Sequence, residues 1–194
     1  MTEDKYHHGN LKQALIDAGI KIINKEGEQG LSLRKVAAAC GVSHSAPYAH
    51  YKDKDELISA IKSSVTEQFT KYLYEAVDGM KEESAEKAIV AMGRSYVKFF
   101  INNPDYYQFL FYNQRITVHL MAGETHEEDY PPYLLLKALF FRHLDEKGIK
   151  LSDEEKEIEL IKIWSTVQGI ASIACMENVT TSKPWETYLD KLIN

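Results

Sequence analysis

Apolar residues in this chain recur at steps of three and four along nearly its whole length, and little interrupts them. Four of the five prolines (Pro104, Pro131, Pro132, Pro184) and most of the ten glycines fall between these periodic segments, where helices would end. No segment alternates apolar with polar residues while enriching in β-branched side chains, so no strand is expected. The pattern calls for an all-α fold of about nine helices.

The first helix is expected over about 10–25, with Leu11, Leu15, Ala18 and Ile22 as its inward stripe. Ser32 reads as the N-cap of a short second helix that turns Val36, Ala37 and Cys40 inward, and Gly41-Val42-Ser43 as a tight turn. A third short helix over about 44–51 precedes a long fourth, capped by Asp53 and running to about Val77. The fifth carries Ala85, Ala88, Ile89, Met92, Tyr96, Phe99 and Phe100, the strongest periodicity in the chain. Asn103-Pro104-Asp105 reads as the start of a sixth that carries Tyr106 to Tyr112. After a polar stretch from Met121 to Asp129, Pro131-Pro132 opens a seventh helix that stops at Gly148. Ser152 and Glu155 form a capping box for an eighth reaching about Asn178, and Pro184 begins a short ninth.

Composition limits the setting. At 194 residues and 44% apolar content, the chain can bury a core without disulfide or metal staples. The longest stretch without Asp, Glu, Lys, Arg or His, 163–176, is shorter than the roughly 20 apolar residues a membrane span needs. The acidic opening Met1-Thr2-Glu3-Asp4 has no apolar run behind it, and Cys40 and Cys175 are too few for a disulfide framework. A cytoplasmic protein without membrane contact is expected.

A net charge of −6 argues at first against a nucleic-acid partner, but it is unevenly spread. Through residue 62, nine Lys and Arg face eight Asp and Glu, leaving +1; the remainder carries fourteen against twenty-one, leaving −7. The shift near Ile61 marks a boundary between domains 1–62 and 63–194. A near-neutral head on an acidic body permits DNA binding.

The head also has the local geometry for it. Two short helices joined at Gly41-Val42-Ser43, with small Ala37 at their closest approach and Gly41 free to take positive φ, make a helix-turn-helix. The second of the two presents polar residues at its start and ends in Lys52 and Lys54, which suits a major groove about 12 Å wide with phosphates at its margins.

The full run from Leu31-Ser32-Leu33-Arg34-Lys35-Val36-Ala37 through Tyr48, Tyr51, Lys54 and Leu57 resembles the DNA-binding signature of TetR-type (tetracycline-repressor-like) transcriptional regulators. The opening Tyr6-His7-His8-Gly9-Asn10-Leu11 resembles one subgroup of them. The resemblance implies a three-helix DNA-binding head and a larger helical body that dimerises and binds an inducer. It places Ser32 and Arg34 on phosphates, Ser43, His44, Ser45 and Ala46 at base edges, Tyr48 on a phosphate, His50 at the groove wall and Lys54 on a phosphate. Tyr51 takes a core position. Two departures stand out: Pro47 replaces the usual leucine, which shifts the helix start by one or two residues, and Ala46 lacks the hydroxyl often found there.

In the body, Trp164-Ser165-Thr166-Val167-Gln168-Gly169 resembles the Trp-His-Gly signature of one TetR C-terminal domain type, with Gln168 in place of His. That resemblance makes the eighth helix both a dimer surface and a cavity wall, with Ser165 and Gly169 small enough for another helix to approach. Aromatic residues crowd the stretch from Tyr96 to Tyr112, and buried tyrosines must place their hydroxyls somewhere. Tyr96, Phe99, Phe100, Tyr107, Phe111, Trp164 and Gln168 are therefore candidate ligand residues, and the scarcity of charge among them favours a neutral apolar or aromatic effector.

Catalysis finds no support, since there is no phosphate loop, nucleophile elbow or carboxylate pair. His119, Glu124, His126 and Glu127 cluster in a polar loop without helical ligand spacing, so no metal and no cofactor are expected. The sequence reads as a one-component regulator, favouring a repressor, that binds palindromic operator DNA as a homodimer. The alternative is an all-helical binding or scaffold module that no longer reads DNA.

Overall fold

A computed structural model describes residues 8–112, 116–121 and 123–194. Tyr6 and His7 of the opening motif lie outside them. The described residues form eight α-helices and no strand: α1 (His8–Glu26), α2 (Leu33–Ala39), α3 (Lys54–Asp78), α4 (Ala85–Asn102), α5 (Pro104–Tyr107), α6 (Pro131–Lys147), α7 (Asp153–Ala174) and α8 (Glu186–Leu192). None is long and apolar enough to cross a membrane. The chain divides into two compact units, the first reaching Val65 and also taking in the segment that begins at Gln108; α3 runs unbroken from one unit into the other.

In the first unit, Leu15, Ile16, Ile20 and Ile23 of α1 are buried with Leu31, Leu33, Val36, Ala37, Tyr51, Leu57 and Ile61. Each such Leu or Ile contributes about 1.5–3 kcal/mol by leaving water. Gly19 leaves room for the Ile61 side chain of α3, because a Cβ there would lie 2.6 Å from Ile61 Cδ1. The expected caps form: Ser32 Oγ accepts from Lys35 N at 3.2 Å, and Asp53 Oδ1 accepts from Glu56 N at 2.9 Å.

The second unit is built on α4, which packs against α6 and α7 and is met near its middle by the C-terminal end of α8. Phe69 is fully buried among Tyr96, Phe99 and Phe100, with ring centroids 4.5–5.1 Å away. The capping box at Ser152 and Glu155 forms with both of its hydrogen bonds, and Gly148 closes α6 at φ 63°.

Three expected elements differ. The aromatic run after Asn103 is not one helix: α5 is a single turn, succeeded by a π-turn from Gln108 to Tyr112 that belongs to the first unit. Asn103 does not cap α5 with its side chain, which donates instead to Phe99 O at 2.8 Å and closes α4. The α7 helix ends at Ala174, four residues before the expected Asn178.

Candidate functional site

The head turns between its two short elements by a Schellman arrangement. Gly41 adopts φ 67°, its N–H donates to Ala38 O at 3.2 Å, and Val42 N–H donates to Ala37 O at 3.0 Å. These two bonds satisfy carbonyls that the end of α2 would otherwise leave open, and they fix the direction in which the chain leaves.

The element beyond this turn is shorter than the expected helix. Ala46–Ala49 is a 3-10 turn, with Ala46 N bonded to Ser43 O at 3.0 Å and Tyr48 N to Ser45 O at 3.1 Å. Pro47 is the cause. It has no N–H to return to Ser43 O, and its ring excludes the α-helical position of that carbonyl. Pro47 is itself buried, so it fills the core position that the leucine would occupy while shortening the reading element.

All nine candidate DNA-contact residues reach solvent. Ser32, Arg34, Ser43, His44, Ser45 and Tyr48 are exposed, and Ala46, His50 and Lys54 are half-buried. Tyr51, by contrast, is buried, and that burial raises its hydroxyl pKa. The cations of this surface are not equivalent. Lys35 pairs with Glu26 and Lys52 with Asp53, whereas Arg34 and Lys54 form no ion pair among the described residues. The charges left available are the two that the resemblance assigns to phosphates. Ser32 holds Lys35 N, so its hydroxyl is already engaged in capping.

In the second unit, a cavity lies between α4, α6 and α7, walled by Met92, Tyr96, Tyr130, Tyr133, Leu136 and Trp164 among others. Its enclosed space is about 20 Å³, room for a single water molecule. Tyr96 and Trp164 are the sequence candidates that reach it. Gln168 stands behind Tyr96 and accepts its hydroxyl proton, and Tyr107 OH donates to Gln168 O at 3.4 Å. Phe99 and Phe100 pack in the aromatic core around Phe69, and Phe111 lies in the π-turn of the first unit.

Tyr130 and Tyr133 were not among the candidates from sequence. They lie at the Pro131-Pro132 step, which signals only a helix start. Their hydroxyls are buried without a hydrogen-bond partner. Burial pushes the Tyr133 hydroxyl up to about 12, reinforced by the Asp129 carboxylate, and burial likewise raises Tyr130 and Tyr96 well above the ordinary phenol value. The cavity therefore presents protonated phenols on otherwise apolar walls.

One face of α7 turns away from the core. Ile158, Ile161, Ser165, Gly169 and Ile173 recur on it at three- and four-residue steps, and Met176 continues the row just past the helix end. All six are exposed, and nothing lies within 4 Å of a Cβ placed on Gly169.

Residues 15–61 match the profile of the family described as bacterial regulatory proteins, tetR family. The nicotine-responsive transcriptional repressor HdnoR of Paenarthrobacter nicotinovorans is 32% identical over 74 residues, which is 38% of each chain. The uncharacterized regulator YobS of Bacillus subtilis is 27% identical over 101 residues, 52% of this chain and 51% of that one. The chain thus spans about half or less of the length of these curated relatives. Among solved structures, a Rhodococcus sp. RHA1 protein of unknown function superposes with a TM-score of 0.71 at 25% identity, covering 97% of this chain and 94% of that one.

Proposed function

We propose that this chain, whose head is the DNA-binding domain of the tetR family, is a one-component transcriptional regulator that binds palindromic operator DNA as a homodimer. The carrying observation is the head itself: a Schellman-turned pair of elements with its candidate contacts all at the surface and Arg34 and Lys54 free of ion pairs. Residues 1–62 serve as the reading head and 63–194 as the dimerisation and effector domain, acting in the cytoplasm without a chemical step. Repression is the favoured mode, since a head seated on an operator blocks access to it.

The exposed apolar and small residues of α7 support the dimer. A two-fold axis along that face would bury them and present two heads to the two half-sites of a palindrome. The tyrosine-lined cavity supports a small neutral effector with an apolar or aromatic body and an oxygen or nitrogen that accepts from Tyr130 or Tyr133. Helix α3 is the covalent route from effector to head, and a ligand shifts the head only by its differential affinity for the two states.

Fluorescence anisotropy with duplexes from the gene's own upstream region, across a salt series, tests this. Steep salt dependence is expected, with Lys54→Ala lowering the log–log slope by about one. Salt-insensitive binding, or none, sinks the proposal. The shortened 3-10 element favours one competing reading, a helical scaffold that no longer reads DNA, and undetectable affinity in the unaltered protein would establish it.

A further inference from the structure

Among the described residues, the stretch from 116 to 130, in the second unit, has no helix, yet both buried charged residues serve it. Asp129, 3% exposed, accepts the backbone N–H of His119 on one oxygen and that of His126 on the other, each at 2.9 Å. Its Oδ1 also lies 2.8 Å from His119 Nδ1. Lys137, 5% exposed, donates from Nζ to Met121 O at 2.7 Å and to Glu124 O. These bonds fold the loop so that the rings of His119 and His126, seven residues apart in sequence, stand 4.1 Å apart between centroids.

The orientation of the two rings matters more than their proximity. A carboxylate on His119 Nδ1 holds the proton at that atom and leaves the Nε2 lone pair for another partner. His126 Nε2 is buried and has no hydrogen-bond partner. Glu128 brings a carboxylate to the same place, and one donor atom from each of His119, His126 and Glu128 lies within 4.8 Å of the other two.

We propose that His119, His126 and Glu128 bind a divalent transition-metal ion of the zinc class, with Asp129 as the residue that orients His119. Two neutral imidazoles and one carboxylate suit Zn²⁺ or Co²⁺ in tetrahedral coordination. Metal–donor distances of about 2.0–2.2 Å place the donor atoms about 3.3–3.6 Å from each other. Glu128, whose side chain is exposed, can swing inward to help reach that spacing. The fourth position goes to water or to Glu124, whose Oε2 is already 3.3 Å from His126 Nε2. A loop held only by its own hydrogen bonds would account for His119 and Asp129, but it leaves His126 Nε2 without one, since the Glu124 carboxylate beside it does not complete a hydrogen bond. Tyr130 comes next in the chain and lines the cavity, and its N–H donates to Thr117 O at 3.0 Å, so the metal would sit on the loop that carries one wall of that cavity.

The test uses the full chain, stripped with a chelator, titrated with Zn²⁺ against a fluorescent zinc indicator and with Co²⁺ while following its visible d–d absorption. One equivalent per chain is expected, with tetrahedral Co²⁺ bands. Asp129→Asn should weaken binding about 10–100-fold by disorienting His119. His126→Ala and Glu128→Gln should each weaken it at least about tenfold, and Glu128, being exposed, can be exchanged without disturbing the fold. The double variant His7→Ala/His8→Ala should leave it unchanged. Absence of saturable one-to-one binding overturns the proposal, as does binding that survives both His126→Ala and Glu128→Gln or is lost with His7 and His8. Because no DNA is involved, the outcome is independent of whether the head reads an operator.

Discussion

The Tyr96 hydroxyl donates to the side-chain carbonyl of Gln168, tying the middle of α4 to α7 across the inner edge of the cavity. Tyr96 is buried and its hydroxyl stays protonated, so the donor is permanent over the physiological range. Tyr96→Phe removes that donor but leaves Gln168 half-buried, where water can reach it. A loss of about 1 kcal/mol in urea-unfolding stability is expected. The double change Tyr96→Phe with Gln168→Leu should cost less than the sum of the two single changes.

Gly41 and Gly93 should respond to alanine for opposite reasons. At Gly41 a Cβ meets open space, but φ 67° is a left-handed backbone, so Gly41→Ala should cost about 1–2 kcal/mol through strain alone. At Gly93 the backbone is helical, but a Cβ would lie 3.0 Å from Ile193 Cγ2 and 3.2 Å from Val167 Cγ1. Crowding there, partly offset by the helical preference for Ala over Gly, should leave a net loss of about 1 kcal/mol. Truncating Ile193 to Ala should rescue Gly93→Ala and leave Gly41→Ala unrescued.

Pro47→Leu should convert the 3-10 turn into a longer α-helix, since it restores an N–H for Ser43 O and keeps an apolar side chain in the buried position. Helical circular dichroism at 222 nm should rise. Duplex affinity should change with it, because the same substitution re-aims Ser45 and Tyr48. An unchanged spectrum would mean that something other than proline limits the element.

The Cys175 thiol donates to Phe100 O at 3.4 Å, and burial pushes its pKa up to about 11. Its folded state holds the proton more tightly than the unfolded chain does. The stabilisation is therefore complete below the ordinary thiol pKa and is lost as pH rises toward about 11. Burial also raises Cys40. Both thiols should react slowly with an aromatic disulfide reagent at neutral pH and quickly after denaturation. A fast native thiol at neutral pH would contradict this burial.

Local rules carried most of the fold. Ser32, Asp53 and Ser152 each cap the helix that begins beside them through a side-chain oxygen, as their spacing from the first apolar turn implies. The fate of the aromatic run was not legible, because Phe109 and Leu110 are recruited to the first unit by packing that periodicity does not encode. The turn of the head and the exposure of its candidate contacts were legible from a contiguous motif. The cavity was not, since Met92, Tyr130 and Trp164 meet only when α4, α6 and α7 assemble. His119 and His126 were visible as neighbours in a polar loop, but what brings their rings together was not: Asp129 gathers them through backbone bonds, and no helical or strand repeat marks such a loop.

A cavity with room for one water leaves an effector no vacant volume to enter. Side chains must first withdraw, and a ring the size of a phenol must wait for them. The observed association rate should then level off at high effector concentration, at the rate of that withdrawal. Stopped-flow traces following Trp164 fluorescence would show the plateau. Trimming Leu136 to Ala should raise it, so that in the proposed regulator the speed of the response is set by how tightly its interior is packed.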